Sequence, residues 1–216
     1  MTLRARLLAF FPALHFLAIL SALCGFVIAP SIASFSLMPV AAYLFPLAAF
    51  RLHNVIFPLR EGTYSIVRGY SPWFGAHMIQ QGFISLRILE EILRLFPGLF
   101  AVWLRLWGAR VGRSVYFAPA FEIGDRSLVD IGDGAVFGYG VRMSSHVISP
   151  SRAHGGMKIY IKRVTFGERC FLGATSGYGP GVVVKPGALV RATLEVFPDT
   201  VIEPAPKAPA TPEQTA

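Results

Sequence analysis

The sequence predicts a mainly β chain: a parallel β-helix of about five coils, preceded by two transmembrane helices and an amphipathic helical region. Three observations carry this expectation. Apolar residues recur at every sixth position over residues 111–201, two long uncharged runs open the chain, and a helical stretch between them confines its charges to one stripe. These patterns divide the chain into a transmembrane hairpin (1–53), a connector with interfacial helices (54–110), the β-helix (111–202) and a disordered tail (203–216).

Residues 7–29 carry no charge and are long enough to cross a hydrocarbon core, and residues 31–50 form a second run of the same kind. Both contain proline, which membrane helices tolerate where neighbouring groups satisfy the freed carbonyls. A cleaved signal peptide fits poorly, because the first run is too long for its apolar region and a second run follows at once. Leu23 stands where a lipoprotein site before Cys24 would need a small residue. Arg4 and Arg6 precede the first run, and Arg51, Arg60 and Arg68 follow the second. The positive-inside rule then puts both termini and the β-helix on the cytoplasmic side of the inner cell membrane. The formal charge of +8 reads as attraction to anionic lipid head groups, since no basic–aromatic interleaving of a nucleic-acid-binding kind is present. Two isolated cysteines, Cys24 and Cys170, argue against a disulfide framework.

A proline-interrupted aromatic connector follows, with Arg60-Glu61-Gly62-Thr63-Tyr64 and Ser71-Pro72-Trp73-Phe74. Residues 78–96 read as one amphipathic helix whose Arg87, Glu90, Glu91 and Arg94 share a stripe and pair with one another. Its other sides are apolar, so it is expected to lie in the membrane interface or against the spans. Pro97-Gly98 breaks it, and residues 99–107 continue as a short helix in which Trp103, Arg105 and Trp107 look like interfacial anchors.

In the repeat region the recurring apolar residues are Val111, Phe117 and Ile123, then, after a two-residue slip, Ile131, Phe137 and Met143. The rhythm resumes at Phe166, Leu172, Tyr178, Val184, Val190 and Val196. Four residues after most of them stands a small or β-branched side chain, such as Ala135, Val141, Val147, Cys170, Ser176 and Ala188; Phe121 and Leu194 are exceptions. A period of six suits neither a helix nor an alternating strand. It suits a three-sided coil in which the apolar residue fills the interior and the small one turns in at a corner. Glycine follows the apolar residue at Gly112, Gly124, Gly132, Gly138, Gly167, Gly173 and Gly179, as expected where the backbone bends or takes a positive φ. Residues 149–165 read as a degenerate coil.

This repeat resembles the hexapeptide-repeat acyltransferases, which implies a left-handed β-helix, acyl transfer from a thioester and a homotrimer. The order of elements narrows the resemblance. Two spans, an aromatic connector, an amphipathic helix, residues 103–112, the run Leu128-Val129-Asp130-Ile131-Gly132-Asp133-Gly134 and His146 are similar to the C-terminal membrane domains of the poly-lysine synthetases, although Ser127 replaces an expected acidic residue. Those domains are linked to peptide-bond formation from carrier-bound thioesters. The resemblance thus implies acyl- or acetyl-coenzyme A, or a carrier-protein thioester, as co-substrate, with no permanently bound cofactor.

The chemistry is expected where the repeat is interrupted, after Met143-Ser144-Ser145-His146. Acyl transfer needs a base for the attacking hydroxyl or amine, and a neutral imidazole suits that task near pH 7. His146 resembles the family's general base; His154 is a weaker second choice, and His15, His53 and His77, grouped with the membrane portion, receive no role. Among the acids of the preceding coil, Asp130 is chosen to orient the imidazole, whereas Asp125 and Asp133 read better as corner residues. Lys158, Lys162, Arg163, Lys185 and Arg191 give the coil a basic face, from which Lys185 and Arg191, with Gly173, are assigned to the phosphates of coenzyme A. Two other classes stay open: a non-catalytic membrane scaffold, and a γ-type carbonic anhydrase, which needs three zinc-bound histidines. The acceptor is not legible.

Overall fold

A computed structural model describes residues 2–67 and 69–205, so Arg68 and residues 206–216 of the expected tail lie outside the described residues. Two helices at the N-terminus, Leu3–Ile28 and Ile32–Ile56, are long and apolar enough to cross a membrane. The first comprises α1 (Leu3–Leu8) and α2 (Phe11–Ile28). The second comprises α3 (Ile32–Pro39), a π turn after Pro39 and α4 (Phe45–Ile56). Only 11% of each apolar window is buried, which distinguishes both from core helices. They touch through Phe11 and Phe45, stacked at 5.3 Å, and through a hydrogen bond between His15 Nε2 and the Ala42 carbonyl.

The connector contributes strand β1 (Gly62–Ser65). Ser71-Pro72 then starts α5 (Pro72–Ser85), with Pro at the first position, where a missing N–H costs nothing. The amphipathic stretch is two helices, interrupted at Leu86, because α6 runs Ile88–Arg94. Its charged stripe does not pair mainly with itself. Only Glu91 and Arg94 do so; Arg87 reaches Glu122 and Glu90 reaches Arg126, because the stripe faces the coil. Helix α7 (Leu99–Trp107) likewise departs from the interfacial reading. Trp103 and Trp107 are buried, and Arg105 donates to the carbonyls of Val111 and Gly112, so α7 packs on the first coil.

Residues 110–202 wind into a three-sided parallel coil. Its first face stacks β2 (Arg110–Val111), β5 (Val129–Ile131), β10 (Val164–Phe166), β13 (Val183–Val184) and β16 (Val201–Ile202). The second stacks β3 (Tyr116–Phe117), β6 (Val136–Phe137), β11 (Phe171–Leu172) and β14 (Leu189–Val190). The third stacks β4 (Glu122–Ile123), β7 (Arg142–Met143), β12 (Gly177–Tyr178) and β15 (Glu195–Val196). The six-step residues fill the interior. All are buried except Phe117, which is half-buried between Phe100 and Phe137. Aromatic rings run up the inside from Phe117 to Phe137, Phe166 and Tyr178 at spacings of 5.1–5.2 Å.

The glycines serve a purpose other than the expected one. None of the seven that follow an inward residue has positive φ; left-handed corners come two residues later, at Gly134, Gly140, Gly181 and Gly187 and at six non-glycine residues, among them Ser114 and Asp199. At Gly112, Gly132, Gly138, Gly167 and Gly173 what demands glycine is coil stacking. A Cβ on Gly173 would lie 2.3 Å from the Ala192 nitrogen, and one on Gly167 equally close to that of Pro186. Arg126 and His146 occupy the left-handed position in the frame yet do not adopt it.

Residues 149–165 are not a degenerate coil. Strands β8 (His146–Ser151) and β9 (Gly156–Ile161) form an antiparallel hairpin, and β1 pairs with the other edge of β9. The local period is two: Ile159 and Ile161 are buried, while Lys158 and Tyr160 alternate with them. Val147, which the six-step frame turned inward, lies on this hairpin and is 39% exposed.

Because the clash at Gly173 is with backbone, Gly173→Val is expected to lower stability by about 1–3 kcal/mol or more. A melting temperature equal to that of the wild type, measured in detergent, would contradict the assigned stacking.

Candidate active site

Two coil corners on the third face come together. The first follows β4 and carries Gly124-Asp125-Arg126; the second follows β7 and carries Ser144-Ser145-His146. Asp125 is 1% exposed and its carboxylate is fully engaged. Oδ1 accepts from the indole N–H of Trp73 at 3.0 Å, while Oδ2 accepts from the Ser145 amide at 3.1 Å and faces His146 Nδ1 at 2.6 Å. An ionised carboxylate at that distance holds the proton on Nδ1 and leaves Nε2 as the basic nitrogen. Ser144 Oγ lies 3.1 Å from the same Nδ1 and donates to the His146 carbonyl at 3.0 Å.

Helix α5 supplies the cover. Trp73 and His77, one turn apart on the same side, stack at 4.9 Å, and both rings meet His146, at 4.5 and 5.4 Å. Burial pushes the Asp125 carboxyl up, but the His146 hydrogen bond and charge, His77 and the Trp73 N–H outweigh it, leaving it below the usual carboxylate range. Burial is also the main influence on His77 and lowers its pKa, with Asp125 acting the other way. Its buried Nδ1 has no hydrogen-bond partner.

Arg126 points the same corner into the helices. Its Nε and Nη2 donate to Glu90 at 2.7 and 2.9 Å, and its amide donates to Gln80 Oε1 at 2.9 Å. Trp103 Nε1 donates to Glu90 as well, and the guanidinium lies over the rings of Phe83 and Trp107. Between these helices and the third face is a cavity of about 450 Å³ that His146 lines.

The other sequence-predicted residues lie elsewhere. Asp130 is on the first face, accepting from Arg163 at 2.8 Å and Arg110 at 3.3 Å, and does not meet His146. Lys185 and Arg191 are exposed after β13 and β14, and Gly173 is enclosed between coils; none lines the cavity. His154 bonds to Ser151 in the hairpin turn, and Asp133 accepts from the Arg113 amide as a corner residue. Sequence reasoning passed over Trp73, His77 and the role of Asp125. The signals were there: Trp73, His77, Gln80, Arg87 and Glu90 follow helical spacing in an otherwise apolar stretch, and the two-residue slip after Ile123 contains Asp125-Arg126.

His77, Asp125 and His146 offer ligand atoms within 4.8 Å of one another, a spacing a metal ion could bridge. The set is two imidazoles and a carboxylate, not the three imidazoles of a γ-type carbonic anhydrase. Hydrogen bonds already occupy both oxygens of Asp125, so its present geometry suits orienting an imidazole.

No protein-family model matches the chain, and no curated protein does. Among solved structures it is similar to a hexapeptide-repeat-containing acetyltransferase from Vibrio cholerae, with 16% identity, a TM-score of 0.36 and coverage of 55% of this chain and 85% of that one. A galactoside acetyltransferase in complex with coenzyme A gives 15%, 0.36, 56% and 77% for the same measures. A maltose O-acetyltransferase from Clostridium difficile gives 14%, 0.35, 55% and 81%. Likeness at this level carries no argument about what this chain does.

Since burial lowers the folded-state pKa of His77, the stability it contributes is full above the unfolded value of about 6.5 and is lost as pH falls below it. The wild type is therefore expected to lose more melting temperature between pH 7.5 and 5.5 than His77→Phe, which keeps the stack on Trp73. Parallel curves would contradict the assignment.

Proposed function

We propose that this chain is a membrane-anchored acyltransferase with a left-handed β-helix, moving an acyl, acetyl or aminoacyl group from a thioester to a hydroxyl or amine. His146 is its general base and Asp125 the positioning residue. The observation that carries the reading is the 2.6 Å contact between His146 Nδ1 and the buried Asp125 at the edge of a cavity. The two exposed apolar helices support the anchoring, with both termini and the coil in the cytoplasm.

The chemistry follows from that pair. Nε2 takes the proton of the acceptor O–H or N–H as the oxygen or nitrogen bonds to the thioester carbonyl carbon. The carbonyl π electrons move onto oxygen, then return as the C–S bond breaks, and the imidazolium gives its proton to the departing thiolate. Asp125 stabilises the imidazolium between these steps and fixes its orientation. Burial of Asp125 keeps water from screening that interaction. The donor is acyl-coenzyme A or a carrier-protein thioester. Asp130, Lys185 and Arg191 have no part in the proton transfer, because none of them reaches His146 or the cavity.

His146→Gln retains an amide donor for Asp125 and is expected to lower turnover by about two to four orders of magnitude while the melting temperature changes little. The assay is thiol release from acetyl-coenzyme A by membranes containing the full-length protein and their own acceptors. Undiminished thiol release would remove His146 from the reaction; lost activity in proportion to unfolding would make it structural.

A further inference from the structure

We infer that the cavity beside His146 holds a hydrocarbon chain belonging to one of the two reactants, which places the substrates among lipids or long-chain acyl thioesters. The inference rests on the acyl-transfer reading and narrows its substrate class.

Size is the first argument. About 450 Å³ is far more than an acetyl group needs and lies in the range of pockets that enclose whole organic ligands. Character is the second. Ile84, Phe121, Met143, Val147, Tyr178 and Phe197 contribute apolar surface, which water leaves favourably. Four arginines also face the cavity, but each is held by a glutamate: Arg87 by Glu122, Arg94 by Glu91, Arg126 by Glu90 and Arg142 by Glu195. Each guanidinium thus has a carboxylate partner within the protein, while the buried Nη1 of Arg94 has no hydrogen-bond partner.

Location is the third argument. Phe83 lines the cavity from α5 and its ring meets His15 at 5.3 Å and Tyr43 at 6.3 Å, one residue from each of the two exposed apolar helices. Phe83 therefore packs between the cavity and the inward sides of the two apolar helices.

The source of the chain is either the donor or the acceptor, and two series on the full-length protein in nanodiscs separate them. The first measures binding of S-alkyl coenzyme A thioethers, from ethyl to hexadecyl, by calorimetry. These cannot transfer a group, so binding is read independently of turnover. The second measures kcat/KM for n-alkanols, from ethanol to dodecanol, as acceptors with acetyl-coenzyme A, followed by thiol release. One series is expected to gain about fourfold per methylene until the cavity is filled, then level off, and the series that rises identifies the source. Ile84→Trp, or Val147→Trp on the hairpin, should stop the rise at a shorter chain. A rise that neither variant moves reports partition into the bilayer and overturns the inference. Flat responses in both series, with acetyl transfer intact, also overturn it and leave the acyltransferase reading standing. A rising thioether series without any thiol release sinks acyl transfer and keeps the chain site.

Discussion

Two consecutive buried charges, Asp125 and Arg126, hold the two halves of this molecule in one arrangement. Each is about 1% exposed, and burying an ion costs several kcal/mol unless its partners are close and well directed. Arg126 meets a bidentate Glu90 from α6, its amide meets Gln80 of α5, and its guanidinium lies over rings from α5 and α7. Asp125 meets Trp73 of α5 from one oxygen and the His146 corner from the other. A shift of the helices over the coil would strand a charge in a low dielectric. The relative placement is therefore specified by charge, whereas apolar contact alone would tolerate sliding.

The geometry around His146 inherits that constraint. His146 stands where the regular coil gives way to the β8–β9 hairpin, so backbone on one side of it is fixed by parallel stacking and on the other by an antiparallel pair. The coil supplies rigidity through an interior of buried rings and through glycines that let successive turns approach within contact of one another. The helices supply the cover: Trp73 donates to the carboxylate and lies against the imidazole, and burial disfavours the charged form of His77 behind it. Preorganisation of this kind is what the proposed proton transfer needs, because the imidazole is held in place beforehand.

The repetitive part of the fold was legible in the sequence because a six-residue period has few structural solutions. The inward positions from Val111 to Val196 follow from it directly. The residues of the candidate site lie at two departures from that period. The break after His146 marks one of them, and the two-residue slip after Ile123, which widens the corner that carries Asp125 and Arg126, marks the other. Asp130 drew attention because it sits inside the repeat, yet a residue facing outward from the first face cannot reach the third. The helical stripe was seen but given the wrong partner. Glu90 and Arg87 fit mutual i, i+3 pairing equally well, and nothing local tells that Arg126 and Glu122 lie across from them. Long-range pairing of charges is a tertiary fact. The glycine column was assigned the wrong reason, since lack of space and positive φ leave the same residue in a sequence.

The account stands on one protonation state: Asp125 holds the proton on Nδ1 of His146 and leaves Nε2 free to act as the base. Nitrogen-15 spectra of the histidine-labelled full-length protein near neutral pH, assigned against His146→Gln, read this directly. Nδ1 is predicted to give the signal of a protonated ring nitrogen and Nε2 that of an unprotonated one, with the preference lost in Asp125→Asn. A resonance pair assigning the proton to Nε2 in the wild type would contradict the central claim.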